Sequence, residues 1–414
     1  MSLRAKFVAL SLVLFVVFWI AWRKTAAAGN PQRPRTLRVA LYPYIPGFDA
    51  AAEYLKLRYE AENPEVTLQV VDTRADYYDH NGNNYIGAVD ADIFELDSVL
   101  MRDFVADGKI KEIPDEALLP PGDLLNSADR GSRLDGKRYG DAHWVCRDFL
   151  FYAKNDAPAQ PIKKLSELVS FVGNGLIIDM RGRSTLGEYY LMAALDRYPD
   201  WAQVYPSKIT AIDLDVEKDL KALSAHCDTA SCRSKVLHEY TGTHGAEFAR
   251  RKGKALVGYS EVLHDVLTES GAFCSGSDKC LSDGDISVAE LPLDENGSKP
   301  MAWVDSFTLS TGCKNDCVKD AVKFMAMMNR DDTYMALLFQ RPLSFMTVQK
   351  PYPAVPTYLM PAKASLYTNQ ELLNSAHLYK DLKILAENVD VPTDKELNKN
   401  LRDLGKKIDA DLGP

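Results

Sequence analysis

HWVCRDFLFYAKND, residues 143–156, is a long run of β-favouring residues, and a second such run, AWVDSFTLST, follows at 302–311. A chain that crosses twice between two lobes needs two extended passages of this kind, one outward and one returning. Around them, strand and helix patterns alternate. LRVALYPYI (37–45), VTLQVVD (66–72) and ADIFELDS (91–98) read as strands, and DAAAEYLKLRYEAENP (49–64) as a helix entered through Asp49 and stopped near Pro64. GLIIDM (175–180) and KALVGYSE (254–261) are further strands, separated by helical stretches. DCVKDAVKFMAMMNR (316–330) is a helix, and the charged DKELNKNLRDLGKKIDADL near the C-terminus reads as a surface helix. This alternation predicts an α/β fold with a mainly parallel sheet. The crossings split it into one lobe of 36–142 plus 305–414 and a second of 143–304, with a ligand cleft between them.

Composition narrows the class. The chain has 414 residues, 46% of them apolar and 26% charged, with a net charge of -9. This is globular usage. The first 30 residues hold Arg4, Lys6, Arg23 and Lys24 and no acidic group. Removing those four from 49 basic groups leaves 45 against 58 acidic ones, a body of charge -13. So acidic a body argues against nucleic acid, whose binding rests on Lys and Arg replacing counterions, and suits a cationic small molecule. The apolar run Phe7–Trp22 behind a basic start, followed by Thr25-Ala26-Ala27-Ala28-Gly29, predicts a signal peptide or a signal anchor over 1–30. Either one places the body outside the cytosol.

The cysteines agree with that compartment. Six of the seven fall into close pairs: Cys227 with Cys232, Cys274 with Cys280, and Cys313 with Cys317. Local disulfides in an oxidising environment are expected, with nearest-neighbour pairing read from proximity alone. A zinc site from Cys227, Cys232 and His244 is the rival reading, although the spacing matches no standard finger. Cys146 is left over, beside His143, Arg147 and Asp148. Most free cysteines are small buried hydrophobes, but an odd thiol in a secreted chain calls for a use. The chain shows no phosphate-binding glycine loop, no H-E-x-x-H and no G-x-S-x-G, so neither metal nor cofactor is expected.

Six stretches, in order over about 36–311, carry a resemblance: LRVALYPYIP, DADIFELDSVLMRDFVADG, DGKRYGDAHWVCRDFLFYAK, GLIIDMRGRST, GKALVGYSE and WVDSFTLST. Together they resemble bacterial thiaminase I (thiamine pyridinylase), a secreted enzyme with the two-lobe, type II periplasmic-binding-protein fold. The resemblance implies that Cys146 is the nucleophile and Glu261, in GYSE, its general base. It implies that Tyr42, Tyr44, Asp97, Tyr259, Trp303 and Asp305 line the cleft and bind substrate, with Trp303 standing where the family has tyrosine. Acidic and aromatic groups suit thiamine, a flat aminopyrimidine joined to a thiazolium cation. Tyr77, Tyr78 and Tyr85 compete for one further cleft position, and Tyr240 for another. The implied partners are thiamine and a nucleophilic base such as an amine, acting on a monomer without nucleic acid. A non-catalytic extracytoplasmic solute-binding protein for thiamine or another cation is the alternative, separated from the enzyme only by Cys146 and Glu261.

Overall fold

The computed structural model describes residues 34–114, 118–198, 200–227, 232–234, 242–273, 281–339 and 355–412. The N-terminal apolar segment, Tyr240, Cys274 and Cys280 lie outside the described residues.

The run at 143–156 is two strands rather than one. β7 (Gly140–Cys146) and β8 (Asp148–Ala153) belong to different sheets and meet at Arg147. Arg147 is 2% exposed. Its guanidinium pairs with Glu290, bonds the Leu385 carbonyl and lies 4.8 Å from the Phe149 ring centre. Arginine suits a buried junction because its planar fork satisfies several partners at once.

The first sheet runs β13-β7-β12-β3-β1-β2, built from β1 (Arg35–Ala40), β2 (Val66–Val71), β3 (Ile93–Asp97), β7, β12 (Trp303–Ser310) and β13 (Met360–Pro361), with β4 (Ile110–Lys111) on β12. A hairpin of β5 (Arg133–Leu134) and β6 (Lys137–Arg138) stands apart. The second sheet runs β11-β8-β10-β9, with β9 (Leu176–Ile177), β10 (Ala255–Tyr259) and β11 (Ile286–Ala289). After β11 the chain returns to the first sheet through β12. The fold is thus α/β with two sheets on either side of Arg147.

The expectation of a mainly parallel arrangement is corrected. Among the paired strands only β1–β2, β1–β3 and β9–β10 are parallel. β12 runs antiparallel to both β3 and β7, and β8 antiparallel to both β10 and β11. Crossing strands enter each sheet from the other lobe, against the direction of its βαβ strands, and alternation of strand and helix patterns carries no record of that.

The C-terminal helix Leu397–Leu412 is also more than a surface element. It buries Leu397, Leu401, Leu404 and Ile408, one face of a helix, against the helix Arg183–Arg197. At that crossing Gly187 lies so close to the Leu401 carbonyl that a Cβ would overlap it. Just ahead of the helix and at its start, Glu396 N–H donates to Asp103 at 2.8 Å and Asn398 Nδ2 to the Tyr78 carbonyl at 3.1 Å. The same segment accepts from Trp201 Nε1 through Asp394. It therefore ties elements flanking the two sheets together.

Two of the three expected disulfides are present. They join Cys227 to Cys232 and Cys313 to Cys317, which removes the zinc reading of the former pair. The third expected bridge, between Cys274 and Cys280, lies outside the described residues.

Candidate active site

Cys146 is the free cysteine among the described residues, and it closes β7 at the crossing point. It stands opposite Trp303 in register and is 8% exposed. Its Sγ donates to Asp305 Oδ2 at 3.3 Å. Burial above all, then the charges of Asp305, Glu261 and Asp97, push the thiol well above its ordinary pKa. The resting group is a protonated thiol that needs a base before it can attack carbon.

Asp305 is supplied by β12, directly across from Asp97 on β3. Like carboxylates opposite each other in a sheet repel, and both are buried. Burial raises Asp97 to about 6, with hydrogen bonds from Tyr78, Val99 and Ser98 pulling the other way. The Tyr78 hydroxyl donates to its Oδ2 at 2.6 Å, and Val99 N–H to its Oδ1 at 3.0 Å, so Asp97 also caps the helix Ser98–Ala106. Asp305 is also pushed up, by burial and then by Asp97 and Glu95. Each charge makes ionisation of the other more costly. Asp305 Oδ1 has no hydrogen-bond partner among the described residues.

Glu95 lies two residues before Asp97 and so on the same face of β3. It accepts the Tyr42 N–H at 2.9 Å and is 2.6 Å from His143 Nδ1. His143 has this place because the β7–β12 register slips: Asp305 pairs with Trp144 and Ser306 with Ala142. The extra residue of that β-bulge is His143, re-aimed as bulges do and packed against Phe307 and Tyr334.

A tyrosine wall adjoins Asp97. The rings of Tyr42 and Tyr44 meet edge-on at 5.6 Å, Tyr44 stacks on Tyr78 at 6.0 Å, and Tyr77 packs on Tyr42 at 5.4 Å. Of the three competing tyrosines, Tyr78 donates its hydroxyl to the Asp97 carboxylate, while the buried Tyr77 hydroxyl accepts the Asp97 N–H at 3.1 Å and donates to the Glu95 carbonyl at 2.8 Å. Tyr85 packs elsewhere, on His80 and Lys109.

Glu261 arrives from the second sheet. β8 starts at Asp148, two residues past the thiol, and Asp148 pairs with Tyr259, two residues before Glu261. That register brings the end of β10 to the crossing point, and Cys146, Asp148 and Asp305 all feel the Glu261 charge. Its side chain keeps some contact with solvent, yet enough protein surrounds it that burial raises it to about 7, with Ser260 opposing. Tyr259 donates its hydroxyl to Glu188. Among the described residues no lysine or arginine pairs with Asp97, Asp305 or Glu261.

Sequence reasoning named His143 and Asp148 only as neighbours of Cys146, and it missed Glu95 and Glu188. Glu95 carried a usable signal: two carboxylates at i and i+2 in IFELD share one face of a strand too apolar to be exposed.

No protein-family model matches the chain. It is 26% identical over 256 residues to Thiaminase-1 of Paenibacillus thiaminolyticus, a match covering 58% of this chain and 60% of the relative's length. The structure superposes on Clostridium botulinum thiaminase I in complex with thiamin at a TM-score of 0.74 with 22% identity, covering 91% of this chain and 100% of that one. It also superposes on a solute-binding protein of an ABC transporter from Agrobacterium radiobacter in complex with ribitol, at 0.66 with 13% identity, over 92% of this chain and 95% of that one. In sequence, then, the chain resembles thiaminase I, and in fold it stands with thiaminase I and the periplasmic-type solute-binding proteins.

Proposed function

We propose that the chain is a thiamine-cleaving transferase in which Cys146 is the nucleophile and Glu261 the general base. The observation that carries this reading is one unpaired thiol set among Asp97, Asp305 and Glu261, carboxyl groups that no lysine or arginine among the described residues pairs with. Such a cluster is costly when ionised and gains a partner when a thiazolium cation enters. Tyr42, Tyr44 and Trp303 offer flat surfaces for the two rings.

Glu261 takes the proton of Cys146 and the sulfur adds to the pyrimidine. The C–N bond to the thiazolium then breaks, and the thiazole leaves neutral with the bonding pair, so no oxyanion has to be stabilised. An incoming base attacks the exocyclic methylene and sulfur is expelled. A base with pKa near 7 is matched to neutral conditions. The two disulfides suit an extracytoplasmic setting. A third bridge, from Cys274 to Cys280, belongs to the same reading, and a monomer satisfies every step.

Incubation with thiamine and aniline should release free thiazole. Cys146→Ser should lower turnover by several orders of magnitude while thiamine still binds, because the nucleophile adds little to ground-state affinity. The similarity to solute-binding proteins favours a second reading, a non-catalytic thiamine binder. Tight thiamine binding by the parent protein without thiazole release, whatever base is added, would establish that reading instead.

A further inference from the structure

The β7–β12 ladder gives up one pair of its register to aim His143 inward, and a bulge of this kind serves the side chain it turns. The His143 carbonyl is fixed from two sides, by the Ala362 N–H at 2.9 Å and the Tyr334 hydroxyl at 3.3 Å. Its ring is buried, with ring centres of Trp144 at 4.0 Å, Phe307 at 4.8 Å and Tyr334 at 5.2 Å. A hydrocarbon ring would fill that space without burying a polar group. Packing therefore does not account for a histidine there.

Glu95 does account for it. One of its carboxylate oxygens, Oε1, is 2.6 Å from His143 Nδ1, and the other accepts the Tyr42 N–H at 2.9 Å. The tautomer follows from the other ring nitrogen. His143 Nε2 is buried with no hydrogen-bond partner among the described residues, so a proton there would be left without an acceptor. The proton belongs on Nδ1, which donates it to Glu95. Both oxygens of the Glu95 side chain are then engaged, and a side chain held at both ends of its carboxylate keeps one rotamer. The Glu95 carbonyl is engaged too, by the Tyr77 hydroxyl that accepts the Asp97 N–H. Glu95 thus joins the bulge of β7 to the end of β1, where the tyrosine wall begins.

We infer that His143 is a positioning residue for thiamine: through Glu95 it fixes the backbone of Tyr42, and so the ring that Tyr42 offers to the substrate. The inference rests on the transferase reading above and adds to it a residue that holds the binding surface in place. The thiol hydrogen of Cys146 goes to Asp305, so His143 is not the base of the reaction. Its effect falls on binding. A surface whose support is itself locked by hydrogen bonds binds without first having to be ordered.

The test is a pair of substitutions that separate the ring from its N–H. His143→Phe keeps a ring among Trp144, Phe307 and Tyr334 and loses the donor. His143→Asn loses the ring and sets an amide N–H near the place of Nδ1. His143→Phe should raise KM for thiamine roughly tenfold, the size of one buried hydrogen bond, with kcat within about threefold. His143→Asn should restore most of the affinity. A merely structural role predicts the reverse order, because phenylalanine preserves the packing and asparagine does not. Glu95→Gln has one acceptor oxygen where two are used, so it too should raise KM. Combined with His143→Phe it should add little, since the two residues act in series. An unchanged KM in His143→Phe, or a loss confined to kcat, overturns the inference. Should the parent protein neither bind nor cleave thiamine, the transferase reading falls, and NMR of the unliganded protein judges the His143–Glu95–Tyr42 connection alone. The Tyr42 amide resonance should move in His143→Phe and return in His143→Asn; if it stays in place, the inference ends. Should His143→Phe not fold, the tautomer in the parent decides: a proton on Nδ1 keeps the inference, and a proton on Nε2 instead removes it.

Discussion

Asp305, the acceptor of the Cys146 hydrogen bond, is itself pushed up by burial and by the charges of Asp97 and Glu95. Glu261, at about 7, is the group that changes state in the working range. The sign of the pH dependence follows. The base must be ionised to take a proton, so kcat should fall as pH drops through about 7, approaching tenfold per unit below it. Asp97, at about 6, must be ionised to attract the thiazolium. KM for thiamine should therefore start to climb about one unit lower. Glu261→Gln should reduce kcat by roughly 10²–10⁴-fold, abolish the upper inflection and leave the KM inflection in place. A kcat profile flat from pH 5 to 8 in the parent would take the base role away from Glu261. Cys146 was legible as a residue because an odd cysteine count is a fact of composition. Its hydrogen bond to Asp305 was not, because the two are 159 positions apart and meet only through the pairing of β7 with β12.

Strands were legible as patterns, and their ends were where the reading slipped. HWVCRDFLFYAKND looks continuous because Arg147 and Asp148 sit inside an apolar run, and only burial of the guanidinium against Glu290 and Phe149 makes a sheet boundary there. The bulge that places His143 beside Glu95 has no sequence mark at all, since it depends on register with a partner strand. The C-terminal helix was misread for a related reason. Its many charges mask a stripe of Leu397, Leu401, Leu404 and Ile408 that packs on Arg183–Arg197. Contact there is tight enough that Gly187→Ala should cost about 1–3 kcal/mol through overpacking against Leu401. Part of that loss should reach the site, because Asn398 on the same helix holds the Tyr78 carbonyl and Tyr78 holds Asp97. Denaturant melts together with KM for thiamine would test this. Stability unchanged by Gly187→Ala would show that the helix is less firmly seated than its packing indicates.

At the scale of the molecule, the acidic excess of the sequence is not spread evenly over a solvated surface. A share of it is buried where it must be paid for. Besides Asp97 and Glu261, burial raises Asp141 to about 7 and Asp196 to about 7, and lifts Asp148 and Asp305 well above the carboxylate range. In an unfolded chain the same groups ionise near 4. A carboxyl whose pKa is raised by folding gives stability that is fully present below the unfolded value and lost as pH rises through the folded one. The loss therefore falls between about pH 4 and 7. Asp213, lowered to about 2, works in the opposite sense, but its contribution disappears only in stronger acid and lies outside that window. The midpoint of thermal unfolding should consequently be higher at pH 5 than at pH 8. Thiamine bound to the Cys146→Ser protein should raise the midpoint more at pH 8 than at pH 5, because the cation meets ionised partners only at the higher pH. If the midpoint instead climbs from pH 5 to 8, cations of the chain itself already compensate these carboxylates. The cleft would then have no electrostatic reason to prefer a cationic substrate.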